Sequence, residues 1–265
     1  ITKPFSPKLL LARAFQLIKQ REKLRKKFSD DPGMITPAIC TSEKDKQFAD
    51  KLQAILEERG IPYTGAGSRS SALCFDKSAS KKVFLDAGVP TPQAEILDCS
   101  NGIVMPSLPL PFVIKPPCEG SSVGVHIVRR QEDVLPAMEE AVTHGTTVLV
   151  EEFIQGKELT VGILDGKALP VIHICPRSGF YDLSNKYPWM NMGGGTDYIC
   201  PADLPEETAA KVQEAALKAY KAAGVEVYGR VDVLLREEDG APFVLEINTI
   251  PGMTPSSLLP KAAAA

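Results

Sequence analysis

The sequence predicts a mixed α/β (α+β) protein, and three observations predict it. Segments with apolar residues at helical spacing alternate with short runs rich in Val, Ile and Leu. Two pairs of those runs are joined by turn signals, Asp165-Gly166 and REEDGAP at 236–242, which favour antiparallel hairpins. There is no internal repeat or low-complexity segment, and 44% apolar with 24% charged residues is an ordinary globular composition.

In chain order, residues 8–28 carry Leu10, Leu11, Ala14, Leu17, Ile18 and Leu24 on one helical face, with Lys and Arg on the solvated side. A second helix spans Lys46–Arg59 and ends at Gly60. GIPYTGAG (60–67) reads as a short strand or turn, and a helix follows around Asp76–Ala87. VPTP at 89–92 is a linker. PFVIKP (111–116) is a strand, EGSSVGV (119–125) a small-residue loop and VHIVRR (125–130) a returning strand. Residues 131–144 are helical, TVLVEEFI (147–154) is a strand, and 158–174 form a hairpin across Asp165-Gly166. A Gly- and Asn-rich loop covers 178–197, a helix covers Pro205–Ala223, and GRVDVLL and FVLEIN close as a hairpin. The grammar suggests three parts: 1–88, 89–158 and 159–265.

Composition narrows the function classes. A net charge of −3 gives no reason to expect nucleic acid or an anionic membrane as partner. No apolar run reaches the ~18–20 residues of a membrane-spanning helix, and no secretory leader is expected. Six scattered cysteines without a C-x-x-C pair read as reduced thiols of a cytoplasmic protein. Three isolated histidines offer no zinc-binding spacing.

Three constellations carry chemistry. In the first, Lys115 lies inside an apolar strand just before EGSSVGV, a loop whose Ser121 and Ser122 could close on an anion. A lysine there is costly without an anionic partner, and a polyphosphate is one candidate. In the second, Glu151 and Glu152 end a strand and Glu158 follows a short link. They are either solvated strand ends or the lining of a nucleotide pocket. The third is GRVDVLL with FVLEIN. Alternation puts Arg230 and Asp232 on one face of their strand, and Glu246 and Asn248, roughly 7 Å apart, on one face of theirs. Paired as a hairpin, they gather two carboxylates, an amide and an arginine. Such hard oxygen donors suit Mg²⁺; a plain salt bridge from Arg230 to a carboxylate is the competing reading.

The run of GIPYTG, DKSASKK, PFVIKPPCEGSSVGV, VLVEEFIQGKELTVGIL, GFYDLSNKY, YICPADL, GRVDVLL and LEINTIPGMTPSSLLP, from about Gly60 to Lys261, resembles the D-alanine–D-alanine ligases of the ATP-grasp superfamily. The resemblance implies an ATP-grasp fold and an ADP-forming ligase that makes D-alanyl-D-alanine through an acyl phosphate, for peptidoglycan. Lys77 and Lys115 would bind the ATP phosphates while Ser121 and Ser122 close over them. Glu151, Glu152, Phe153 and Ile154 would line the adenine pocket, Glu158 would hold the ribose, and Lys186 would reach the γ-phosphate. Asp232, Glu246 and Asn248 would hold two Mg²⁺ ions, with Mn²⁺ as a substitute. Arg230 and the backbone at Gly252 would meet the oxyanion, and Ser257 with Leu258 would receive the second amino acid. Tyr187 resembles the residue of ligases that make a dipeptide rather than an ester. A cytoplasmic homodimer is the family expectation.

The N-terminal part departs from that pattern. Where such ligases carry an H-G-x-x-G-E-D-G-like stretch, this chain has EKDKQFAD (43–50), and residues 1–40 match nothing in it. A partial or divergent N-terminal domain and a shortened C-terminus are therefore expected. Two alternatives stay open: a ligase of the same fold for another acid and amine, and an ATP-binding protein without turnover.

Overall fold

The computed structural model describes residues 53–119, 123–176, 196–254 and 257–265. The expected helix at 8–28 and the first half of 46–59 lie outside them. Residues 53–58 are helical, and Gly60 closes the turn with a φ of 62°, in the left-handed region a C-cap glycine supplies.

Two antiparallel sheets organise the rest. The first has four strands in the order β1-β4-β2-β3: β1 Ala94–Asp98, β2 Phe112–Lys115, β3 His126–Val128 and β4 Thr147–Glu152. The second has five in the order β7-β6-β5-β8-β9: β5 Gly156–Leu164, β6 Lys167–Pro176, β7 Thr196–Ile199, β8 Tyr228–Arg236 and β9 Pro242–Asn248. Only Phe153, Ile154 and Gln155 separate β4 from β5, so the chain passes directly from an interior strand of the first sheet to the central strand of the second.

The helices are α1 Ser68–Phe75, α2 Lys77–Asp86, α3 Val134–Ala141, α4 Glu206–Ala222 and α5 Leu258–Ala264. α3 covers one face of the first sheet, where Met138 and Ala141 meet Ile114, Val148 and Val150. α4 covers the second sheet, with Val212, Ala216 and Ala219 against Val161, Val231, Val233, Val244 and Ile247. The opposite face of that sheet is shared by α5, whose Leu258 and Ala262 pack on Ile172 and Ile174, and by a cleft.

Both expected hairpins form. Asp165 (φ 49°) and Gly166 (φ 69°) are both left-handed, as a two-residue turn joining β5 to β6 requires. β8 and β9 pair with Arg230 opposite Asn248 and Asp232 opposite Glu246. Beyond that pair the register slips by one residue, so Val233 faces Val244 and Leu245 is a bulge.

The structure also departs from expectation in places. β1 and β7 were not foreseen: both are short edge strands without a long apolar run. Of the two readings of GIPYTGAG, turn rather than strand holds: it forms bends, pairs with no described strand, and docks on Tyr228, whose hydroxyl lies 3.4 Å from the Thr64 carbonyl oxygen. α1 precedes the expected helix, and the two abut at Asp76, whose carboxylate caps α2 by accepting from the Ser78 and Ala79 N–H groups. The helical stretch 131–144 is α-helical only at its centre, flanked by 3₁₀ turns.

Candidate active site

Where the sheets meet lies a cleft of about 710 Å³. Its walls carry Lys115 from β2, Glu151 and Glu152 from β4, Phe153 and Ile154 from the link, Glu158 from β5, and Asp232 and Glu246 from β8 and β9. Lys77, the first residue of α2, also borders it.

Lys77 Nζ donates to the Glu119 carbonyl oxygen at 2.7 Å and lies 3.0 Å from Glu246 Oε2. It thereby ties α2 both to the start of the Gly-Ser loop and to β9. Asp232, 9% exposed, receives a bidentate pair from Arg230 at 3.0 and 2.9 Å and a hydroxyl bond from Thr160 at 2.6 Å. Thr160 is the cross-strand neighbour of Asp232 on β5, so strand register alone aims it. The Arg230–carboxylate pair that competed with the metal reading is therefore present, and it leaves Glu246 paired with Lys77 instead. Asn248 Oδ1 accepts from the Ile250 N–H at 3.1 Å, an Asx turn that bends the chain out of β9 toward Pro251-Gly252.

Do these residues fit Mg²⁺? Among the described residues no three His, Cys, Asp or Glu side chains cluster tightly enough to cage a metal alone. Mg²⁺ rarely uses such a cage; one or two carboxylates with water and substrate phosphate suffice. Asp232 and Glu246 are directly opposed on neighbouring strands, and a recess of about 20 Å³ beside Lys77, Glu246 and Asn248 has the size of one water or small ion. The donor set fits the ion.

The first sheet presents a different arrangement. Glu151, 3% exposed, lies between two ammonium groups, Lys81 Nζ at 2.6 Å from Oε1 and Lys115 Nζ at 2.5 Å from Oε2. Burial pushes its carboxyl pKa up, but the two lysines outweigh this and hold it below the usual carboxylate range. The anionic partner that Lys115 needs is thus supplied within the protein, on the diagonal of the β2–β4 ladder, where Val113 faces Glu151. Glu152 accepts from the Gln93 N–H at 2.8 Å. The Arg129 guanidinium lies 4.6 Å from the centre of the Phe153 ring. His173 also faces the cleft, where burial, then Lys157, lowers its pKa and favours the neutral imidazole.

At the other end, Gly252 abuts Ser257: a Cβ at 252 would sit 2.6 Å from Ser257 Oγ. Ser257 Oγ in turn accepts from the Thr254 N–H at 3.1 Å. The Leu258 side chain is buried under β6, which leaves only its backbone to face a ligand. Ser121, Ser122, Lys186 and Tyr187 lie outside the described residues. Lys81, Arg129, Thr160 and His173 were missed by sequence reasoning. For Lys81 a signal existed, since it falls on the same helical face as the buried Ser78 and Phe84.

The family model described as D-ala D-ala ligase C-terminus matches residues 92–265, well over half of the chain. The chain belongs to the D-alanine–D-alanine ligase family. It is 46% identical over 215 residues to the D-alanine--D-alanine ligase of Methylacidiphilum infernorum, covering 81% of this chain and 68% of that one. To the D-alanine--D-alanine ligase of Citrifermentans bemidjiense it is 46% identical over 212 residues, with 80% and 68% covered. Among solved structures, D-alanine--D-alanine ligase from Bacillus anthracis superposes with a TM-score of 0.72 at 37% identity, covering 82% of this chain and 71% of that chain. VanG D-Ala:D-Ser ligase from Enterococcus faecalis superposes at 0.71 and 32% identity, over 82% and 64%. The fold of this D-alanine–D-alanine ligase family member is the ATP-grasp fold that its motif order implied.

Proposed function

We propose that this chain is an ATP- and Mg²⁺-dependent ligase that joins two D-alanine molecules and forms ADP and phosphate, serving peptidoglycan precursor synthesis in the cytoplasm. One observation carries the reading: Asp232 and Glu246 oppose each other in a cleft that Lys77 and Lys115 also border. A carboxylate is a poor acylating agent until it is phosphorylated, and phosphoryl transfer rests on positioning and charge neutralisation. Lys77 and Lys115 hold the triphosphate. Glu158 and the strand end at Glu151–Ile154 seat the nucleoside. Asp232, Glu246 and Asn248 hold Mg²⁺, which when bound neutralises phosphate charge. Arg230, fixed by its bidentate bond to Asp232, presents a donor to the oxyanion formed as the second amine attacks the acyl phosphate. The backbone at Gly252 joins it, and Ser257 with the backbone of Leu258 receives the second carboxylate. Lys186 reaches the γ-phosphate, Ser121 and Ser122 close over the ATP phosphates, and Tyr187 favours an amine nucleophile.

The proposal extends to a homodimer, with D-alanine and ATP as small-molecule partners and no nucleic acid or membrane partner. It also extends to a division of labour among 1–88 on the first-substrate side, 89–158 as lid and 159–265 as the metal and second-substrate part. The likeness to a D-Ala:D-Ser ligase favours one second reading, a different second substrate. Phosphate release and dipeptide formation are measured with Mg-ATP and D-alanine, then with D-serine and D-lactate in place of the second D-alanine. D-alanine alone is expected to support turnover. ATP binding without phosphate release from any pair refutes the ligase reading.

A further inference from the structure

Lys81 makes three contacts from one buried nitrogen. Its Nζ reaches Thr91 Oγ1 at 3.0 Å, the Pro92 carbonyl oxygen at 2.9 Å and Glu151 Oε1 at 2.6 Å. Thr91 donates its own hydroxyl proton to the Val244 carbonyl oxygen at 2.8 Å, so toward Lys81 it is an acceptor. Two hydrogen-bond acceptors and one carboxylate oxygen at ion-pair distance surround this nitrogen, and the carboxylate favours its ammonium form. Burial lowers the Lys81 pKa, and Glu151 opposes that. Two cations therefore share one anion. Lys81 does not border the cleft, whereas Lys115 does. Among neighbouring charges, Glu152 is turned to the Gln93 N–H and Lys77 to Glu246.

Burying a second ammonium is an expensive way to build a core, because apolar side chains of similar volume do so at equal or lower cost. Its effect is electrostatic. A Lys115–Glu151 pair alone would be neutral, and an incoming anion would meet a lysine whose charge is already cancelled. With Lys81 on the other carboxylate oxygen, the trio keeps one positive charge in excess, and the member that lines the cleft is Lys115. We infer that Lys81 is a positioning residue for nucleotide phosphates: it holds Glu151 from behind, so that Lys115 meets the phosphates as an uncancelled cation. The inference rests on the ATP reading of the cleft.

Binding of inorganic tripolyphosphate and of adenosine to the full chain is measured by calorimetry, without divalent cations, so that the lysines alone are read. Lys81→Met is expected to weaken tripolyphosphate binding about ten- to thirtyfold, the effect of one partly screened charge, and to leave adenosine binding within about twofold. Glu151→Gln, which adds a net positive charge, binds tripolyphosphate at least as tightly as the parent. The double variant Lys81→Met with Glu151→Gln returns to near the parent affinity. A role in packing alone predicts that the double variant binds no better than Lys81→Met, and that result overturns the inference. So does unchanged tripolyphosphate binding in Lys81→Met, or looser binding in Glu151→Gln should Lys81→Met fail to fold. A parent chain that binds neither probe refutes the ATP reading itself, and the inference with it.

Discussion

Replacing Gly156 with alanine tests whether the junction between the sheets is as tight as it looks. Gly156 begins β5 and faces Arg236 on β8. A Cβ there would lie 1.9 Å from the Leu235 carbonyl oxygen, 2.8 Å from its carbonyl carbon and 3.0 Å from Arg236 Cα. All three are backbone atoms of a paired strand, so no rotamer change relieves the clash. Reaching the 3.0 Å below which such contacts essentially do not occur requires a shift of about 1 Å of β5 against β8. Overpacking that strains backbone costs roughly 1–3 kcal/mol, and this contact belongs at the upper end. The shift also moves Glu151–Ile154 relative to Glu158 and Asp232, and a misplacement of about 1 Å can cost on the order of 10²-fold in rate. Urea unfolding and ATP-dependent turnover are the assays. A stability change under ~0.5 kcal/mol, within the range of an ordinary surface substitution, together with unchanged turnover, would refute the reasoning.

Other consequences follow from the same geometry. Gly252→Ala meets the movable Ser257 hydroxyl rather than backbone, so melting should change by only a few degrees while KM for the second D-alanine rises, read by steady-state kinetics with one amino acid varied. Asp232→Asn keeps the shape of its pair with Arg230 but removes the charge opposite Glu246. Turnover should fall about 10²-fold or more, with a higher Mg²⁺ requirement seen in metal titration. Glu151 predicts an acid limb to stability. Its folded pKa is lowered, so the unfolded chain binds more protons and stability rises with pH. That contribution is complete above the ordinary value of 4.5 and is lost as pH falls through the folded value. Melting curves of the parent should therefore drop more steeply below pH 4.5 than those of Glu151→Gln.

Much of the β8–β9 side of the cleft was legible because its information is local. Alternation within GRVDVLL and FVLEIN, plus a short turn, is enough to set Asp232 beside Glu246. The Glu151 trio was not legible in that way. Its members stand on α2, β2 and β4, and their meeting depends on the order β1-β4-β2-β3, which no local pattern encodes. Sequence reasoning saw that Lys115 needed an anion but looked only to a ligand, because strand pairing is a tertiary fact. The two unforeseen strands, β1 and β7, lie at sheet edges and draw their conformation from one neighbour each.

The bulge at Leu245 has a meaning for how such a site can change. In a regular strand consecutive side chains must part to opposite faces, so every residue added to a cleft implies a partner added to the core. Here Leu245 and Glu246 border the same cleft, while Val244 and Ile247, three positions apart, both stay in the core under α4. Leu245 is therefore surplus to the ladder: the pairs on either side of it would remain in phase if it were absent. A lineage can resize or remove that apolar side chain, and with it the shape of the nucleotide pocket, without retuning either the acid pair or the packing behind the sheet.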